Sequence, residues 1–293
     1  MAAIVINGKE VAQQIQEELA DKIIELKAEG IIPRLATLLV GEDPASQVYI
    51  GQKRKACDRL GIISDHQTLS AKITEAELLS IIEGLNNNPE VSGILVQLPV
   101  PEHINSVKIL DAISPQKDVD GFHPFNVGKF FTEKSFSDMV DKGLFLPCTP
   151  YGIMELLKRY HIPVKGADVV VVGRSNIVGK PITMLLLAAD ATVTVCHSRT
   201  RDLREVCRRA DIIVAAIGKP KFVTEDMVKD GAVVIDVGVN RLPEGLVGDV
   251  DYATVSQKAS AITPVPGGVG PMTITMLMAN TIMAAKNQAM GNK

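Results

Sequence analysis

The run VVGRSNIVGKP, residues 171–181, puts a glycine-containing turn between a β-branched strand and a helix. Backbone amides and the positive helix end at such a turn can hold a pyrophosphate. The pattern is G-x-S-x-x-x-G, not G-x-G-x-x-G, and a purely structural strand-to-helix turn reads the same way. Working outward, the chain predicts a strand over 168–172, a helix over 179–189, a strand over 192–196, a helix over 203–209, and strands over 212–217 and 232–237. β-Branched runs alternating with helical patterns are the signature of parallel βαβ units, so this half is read as a Rossmann-like, mononucleotide-binding succession.

The end of the strand that follows the turn selects the cofactor. NAD-selective sites usually carry an acidic residue there for the ribose 2′-hydroxyl. This chain has Cys196, His197, Ser198 and Arg199 instead. Ser198 as donor, with Arg174, Arg199 or Arg201 as charge partner, suits a 2′-phosphate and favours NADP. The same arginines also read as a solvated edge.

The first half is α/β as well. Strands are expected over 34–40, 62–68 and 91–98, separated by amphipathic segments. Thr74 followed by Glu77 is a capping box that opens a helix. Between 117 and 147 the character changes, and the polar, aromatic run 129–143 has the look of a connection between domains. At 147–157, PCTPYGIMELL begins a new helix, with Thr149 expected as N-cap and Pro150 in the first helical position. A Met-rich helix over 273–288 is expected to fold back on the first domain. The division is therefore a catalytic domain over 1–145 plus the terminal helix 272–293, and a cofactor domain over 146–271.

Composition bounds the partners. The 293 residues are 46% hydrophobic and 22% charged with a net charge of -3, an ordinary globular balance without the basic field that nucleic acid or an anionic membrane would need. A small-molecule partner is expected. Cys57, Cys148, Cys196 and Cys207 lie far apart, with neither a disulfide framework nor a zinc knuckle in their spacing, and read as buried reduced thiols. The N-terminus lacks the features of a signal or transit peptide and no apolar run is long enough to span a bilayer, so a cytoplasmic protein is expected.

Four further stretches carry candidate chemistry. In VGEDPASQVYIGQKRKAC, 40–57, Tyr49 and Lys53 share one helix face, although Lys53, Arg54 and Lys55 read equally as a surface helix. QLPVP, 97–101, ends a buried strand on the polar Gln97, where open α/β sheets bind ligands. KDVDGFHPFNVGK, 117–129, crowds Asp118, Asp120, His123 and Asn126 into a loop that is either self-satisfying turns or a ligand wall. PVPGGVGPMT, 264–273, lets backbone approach a flat ligand closely before a helix begins. His123 has no metal-ligand spacing around it and is read as structural; no metal is expected.

Together with the turn at 171–181, these stretches resemble the bifunctional methylenetetrahydrofolate dehydrogenase/cyclohydrolase family over nearly the whole chain. There is no room for the synthetase domain of the trifunctional relatives, so the chain is similar to the stand-alone bacterial type. The resemblance implies that Lys53 is the catalytic lysine, with Gln97 its hydrogen-bond partner and Tyr49 positioning the folate. It implies that Asp120 binds the amino-pyrimidine edge, and that Val96, Leu98, Pro266, Gly267 and Gly268 complete the folate contacts. NADP would be held by Gly173, Arg174, Ser175 and Ser198, with Val239 near the nicotinamide. The implied chemistry oxidises 5,10-methylenetetrahydrofolate with NADP+ and hydrolyses the methenyl product to 10-formyltetrahydrofolate; partial burial of Lys53 would leave neutral amine for the proton transfers. The family is homodimeric through its cofactor domain. Gly51, between Tyr49 and Lys53, departs from the bulkier residue usual there and is expected to loosen that helix. Another two-domain NAD(P)-dependent dehydrogenase, or an inactive NADP-binding protein, fits the second domain equally, but gives Tyr49, Lys53, Gln97 and Asp120 no reason to co-occur.

Overall fold

A computed structural model describes residues 3–243 and 245–291. The chain divides into two compact units: Met1–Gln13, Phe131–Lys142 and Pro147–Thr273 form one, and Gln14–Phe130, Gly143–Leu146 and Ile274–Lys293 the other. The strands in chain order are β1 (Ile4–Val5), β2 (Arg34–Val40), β3 (Ile63–Leu69), β4 (Gly93–Val96), β5 (Asp168–Val172), β6 (Thr192–Cys196), β7 (Ile212–Ala215), β8 (Val233–Asp236), β9 (Asn240–Leu242), β10 (Gly245–Val247) and β11 (Ala261–Ile262).

The first unit holds a six-stranded parallel sheet in the order β1-β11-β8-β7-β5-β6. Its inner strands β5, β7 and β8 are nearly continuous apolar runs because both of their faces are buried. β6 lies at the edge, and its exposed Thr192 and Thr194 alternate with half-buried valines. β9 and β10 form a separate antiparallel pair. The N-terminal segment differs from the sequence expectation: Ile4 and Val5 pair with Ala261 and Ile262, which places residues 3–13 with the cofactor sheet and not with the rest of 1–145. The run 129–143 also differs from the expected connection. It contains the end of a helix, Pro124–Thr132, and a second helix, Phe136–Asp141, opened by Ser135 Oγ accepting the Asp138 amide at 3.1 Å. Burial of Phe130 and Met139 holds these helices, which are too short to display periodicity. The helix expected to start on Thr149 begins earlier, at Cys148–Arg159; Thr149 Oγ1 instead shares a hydrogen bond with Thr273 Oγ1 at 2.8 Å.

The second unit is built on the parallel sheet β3-β2-β4. Leu35, Ala36, Leu38 and Leu39 of the central strand are buried, and helix Glu75–Asn87 covers the sheet through Leu78 and Ile82. That helix opens with the expected capping box on Thr74 and Glu77. Lys117 closes it: its buried ammonium donates to the carbonyls of Leu85 at 3.0 Å and Asn88 at 2.6 Å, and burial pulls its pKa below the ordinary lysine value. The C-terminal helix Val269–Gly291 returns to this unit as expected. Asn280 Nδ2 donates to the carbonyls of Val119 at 2.8 Å and Leu146 at 3.0 Å, and Gln288 Nε2 to that of Ser92 at 2.8 Å.

All four cysteines are buried and none is in a disulfide, and burial pushes Cys57 to about 11 and Cys207 to about 12, which makes those two packing groups and not nucleophiles. Among the described residues no helix is long and apolar enough to cross a membrane.

Candidate active site

Helix Pro44–Leu60 carries the first two candidate residues. It starts where Asp43 accepts the Ser46 amide at 2.8 Å with Pro44 in the first turn, and it stops at Gly61, whose φ of 72° is left-handed. Tyr49 and Lys53 lie one turn apart on it. Lys53 is only 8% exposed, so the surface-helix reading fails for this residue, although it stands for Arg54 and Lys55. Its Nζ donates to Gln97 Oε1 at 2.8 Å.

Gln97 is held from both ends. Its backbone amide donates to the Leu38 carbonyl at 2.8 Å, continuing the β4 pairing by one residue, and its side-chain NH2 donates to the Leu98 carbonyl at 2.9 Å. With the NH2 so engaged, the amide oxygen is the group left to face the lysine. A buried lysine nitrogen needs such an acceptor. Burial pushes the Tyr49 phenol above its ordinary value. Leu98 is half-buried, whereas Val96 is 2% exposed and packs in the apolar cluster under the sheet, so its side chain faces away from any ligand.

The loop after Lys117 divides the two readings left open for it. Asp118 is turned inward: its carboxylate accepts the amides of Gly121, Phe122 and His123 at 3.1, 3.2 and 2.8 Å and the Asn126 side chain at 2.9 Å. His123 Nδ1 accepts the Phe125 amide at 3.1 Å, a local cap. Those three residues are self-satisfying turn chemistry. Asp120 is half-buried. Its position follows from register: Ile94 of β4 bridges Asp118 in parallel, so Asp120 falls level with Val96 and, like Gln97, lies at the carboxyl end of β4, the end at which open α/β sheets take ligands.

In the six-stranded unit the 171–181 turn is a close-packed cradle. Gly173 has φ +130°, and a Cβ there would lie 2.2 Å from the Ala216 carbonyl oxygen, so only glycine fits. The helix that follows, Gly179–Ala188, has its first amides taken: Ser175 Oγ accepts from Val178 at 3.1 Å and Gly179 at 3.2 Å. Those two amides are therefore engaged within the turn. What Ser175 retains for an anion is its own O–H. Arg174, Ser198, Arg199 and Arg201 are all exposed, and no acidic residue stands at the end of β6, a donor set that fits a 2′-phosphorylated dinucleotide. In the 264–273 segment, the Gly267 carbonyl accepts the Lys9 amide at 3.1 Å and Gly267 has φ +109°. Val239 is 46% exposed beyond the end of β8.

Sequence reasoning passed over two residues here. Asp236 and Asp249 are 3% and 0% exposed and together accept amides from several loops. The available signal was an aspartate ending an apolar strand, in VVIDVG, followed by a second aspartate flanked by Gly248 and Val250. Among the described residues no group of three or more His, Cys, Asp or Glu side chains is placed to hold a metal ion.

Comparison with known proteins finds matches over both units. Residues 6–120 match the family model of the tetrahydrofolate dehydrogenase/cyclohydrolase catalytic domain, and residues 147–289 match that of its NAD(P)-binding domain. The bifunctional protein FolD of Pelobacter propionicus is 56% identical over 285 residues, 97% of this chain and 98% of that protein. Among solved structures, the FolD methylenetetrahydrofolate dehydrogenase/cyclohydrolase of Campylobacter jejuni is 51% identical with a TM-score of 0.92, covering 98% of this chain and 99% of its own. The Trypanosoma brucei enzyme, solved with NADP cofactor and inhibitor, is 38% identical with a TM-score of 0.92, covering 99% of each chain. Cover of this kind across both units leaves no part of the fold to another origin, and the chain belongs to the tetrahydrofolate dehydrogenase/cyclohydrolase family.

Proposed function

We propose that this protein oxidises 5,10-methylenetetrahydrofolate to 5,10-methenyltetrahydrofolate with NADP+ and hydrolyses the methenyl form to 10-formyltetrahydrofolate. The observation that carries the reading is the buried Lys53 amine held at 2.8 Å by an oriented Gln97. Surface lysines need no such arrangement. In the hydrolytic step Lys53 Nζ takes a proton from water as the water oxygen bonds the methenyl carbon. It returns that proton to the pterin nitrogen as the carbon–nitrogen bond of the ring opens, while the carbinol hydroxyl loses its remaining proton to solvent and becomes the formyl carbonyl. Gln97 fixes the amine for both transfers. Tyr49, one turn away, lines the folate ring system, and the Asp120 carboxylate accepts from the donor-rich amino-pyrimidine edge. Leu98, the Val96 backbone and the 266–268 segment complete the folate contacts.

NADP+, when bound, supplies the hydride acceptor. Gly173 admits its pyrophosphate close to the backbone, Arg174 and the Ser175 hydroxyl meet the phosphates, Ser198 meets the 2′-phosphate, and Val239 borders the nicotinamide. Supporting the NADP preference are the exposed Arg199 and Arg201 and the absence of an acidic residue at the end of β6. The protein is proposed to act in the cytoplasm, in keeping with four cysteines outside any disulfide, and as a homodimer. Support for a dimer is the open edge of β6, since an edge strand presents unpaired N–H and C=O groups to a partner.

The assignment of Lys53 is tested on methenyltetrahydrofolate alone. Lys53→Met should slow its hydrolysis by about 100-fold or more, the scale of a lost acid–base group; an unchanged rate would remove Lys53 from the mechanism.

A further inference from the structure

The six-stranded unit carries two carboxylates that the reactions above do not use. Asp236 ends β8 and Asp249 lies after β10, and both are essentially buried. Among the described residues neither forms an ion pair. Burying carboxylates without a cation is costly, and neutral groups would serve mere packing better.

Their hydrogen bonds share one pattern. Asp249 Oδ2 accepts the amides of Ile217 at 2.7 Å and Gly218 at 2.9 Å, in the segment leaving β7, and Oδ1 accepts the Asn240 side chain at 2.9 Å. Asp236 Oδ1 accepts the amides of Gly238 at 3.0 Å and Asp249 at 2.8 Å, and Oδ2 accepts that of Val250 at 3.0 Å. The Asp236 amide in turn donates to Thr263 Oγ1 at 2.7 Å, beyond the end of β11. The fit is tight: a Cβ on Gly248 would lie 1.8 Å from Asp236 Oδ2. Two carboxylates thus tie the segments that leave β7 and β8 to residues 249–250, and the Asp236 backbone amide adds the segment after β11, at the carboxyl end of the sheet, where open α/β folds take ligands. Val239 sits between the two anchored residues Gly238 and Asn240.

We propose that Asp236 and Asp249 are positioning residues that lock 217–218 and 237–240 into one rigid rim, placing Val239 for alignment of the nicotinamide ring. The inference rests on the cofactor reading proposed above. Hydride transfer depends on alignment within a fraction of an ångström, whereas phosphate anchoring at Gly173 and Ser198 lies elsewhere in the unit. Loosening the rim therefore lowers dehydrogenase kcat more than it weakens NADP+ binding, and leaves methenyl hydrolysis alone.

Asn240→Asp sets a carboxylate against Asp249 Oδ1. The swap Asn240→Asp with Asp249→Asn restores a donor–acceptor pair with its direction reversed. The single variant is expected to lower dehydrogenase kcat about 10- to 100-fold with the KM for NADP+ changed less than about threefold. Hydrolysis of methenyltetrahydrofolate measured without NADP+ should be unchanged. Amide hydrogen exchange at Ile217, Gly218 and Gly238 should quicken, and the swap should reverse both effects. A single variant with full kcat, a folded swap that restores nothing, or a fall of both activities together with the melting temperature would overturn the proposal. Wild-type protein that reduces no NADP+ would overturn the cofactor reading and this inference with it; wild-type protein that does, beside an unaffected Asn240→Asp, would overturn this inference alone.

Discussion

Gln97 spends its NH2 on the Leu98 carbonyl and so turns its oxygen to Lys53. Gln97→Ala removes that acceptor without touching the amine, and the hydrolysis of methenyltetrahydrofolate should fall about 10- to 100-fold, measured directly by loss of methenyl absorbance. An unchanged rate would show that the amine positions itself. Asp236 offers a second test at this scale. Burial pushes its carboxyl up to about 6 from an ordinary 3.8, partly offset by three accepted amides. Because the folded value lies above the unfolded one, the associated stability is fully present below about 3.8 and is lost as pH rises through about 6. From pH 8 to pH 5 the wild type should gain about 1 kcal/mol over Asp236→Asn in denaturant titrations. A pH-independent difference would contradict the burial argument. The two residues differ in legibility. Gln97 declared itself as a polar residue ending an apolar strand; Asp236 ends an apolar strand in the same way, but the partners that bury it and Asp249 are amides of segments distant in the chain, which the sequence does not bring together.

Among the elements, helix Pro44–Leu60 runs unbroken through Gly51, and Ile50, Lys53, Ala56, Cys57 and Leu60 along it are buried. A Cβ at Gly51 would meet nothing within 4 Å. Gly51→Ala should therefore raise stability by about 0.5–1 kcal/mol, read as a higher denaturation midpoint, and a lower midpoint would mean that the backbone there needs glycine. Elements that carry local signals were legible. β2 runs over the expected 34–40, and the Thr74–Glu77 box opens its helix. Those defined by distant partners were not. β1 is two residues long and forms only by pairing with β11 from the far end of the chain, and helix Phe136–Asp141 is shorter than the window in which periodicity can be seen.

For the whole molecule, the order of the motifs carried both fold class and family, and what the sequence left open was which unit each short segment joins. Residues 3–13 and 131–142 belong with the cofactor sheet because of pairing and burial that arise only on folding. The dimer proposal belongs at this scale too: light scattering should return twice the 31.5 kDa of the chain, and a charged substitution at Thr194 on the β6 edge should lower that mass. A monomer at micromolar concentration would set the proposal aside. The central claim is two reactions in succession on one folate, and the direct measurement is absorbance of the wild type and Lys53→Met with 5,10-methylenetetrahydrofolate and NADP+. The account predicts NADPH without lasting methenyltetrahydrofolate for the wild type, and NADPH with accumulating methenyltetrahydrofolate for Lys53→Met. No NADPH from the wild type, or identical traces from the two proteins, would contradict it.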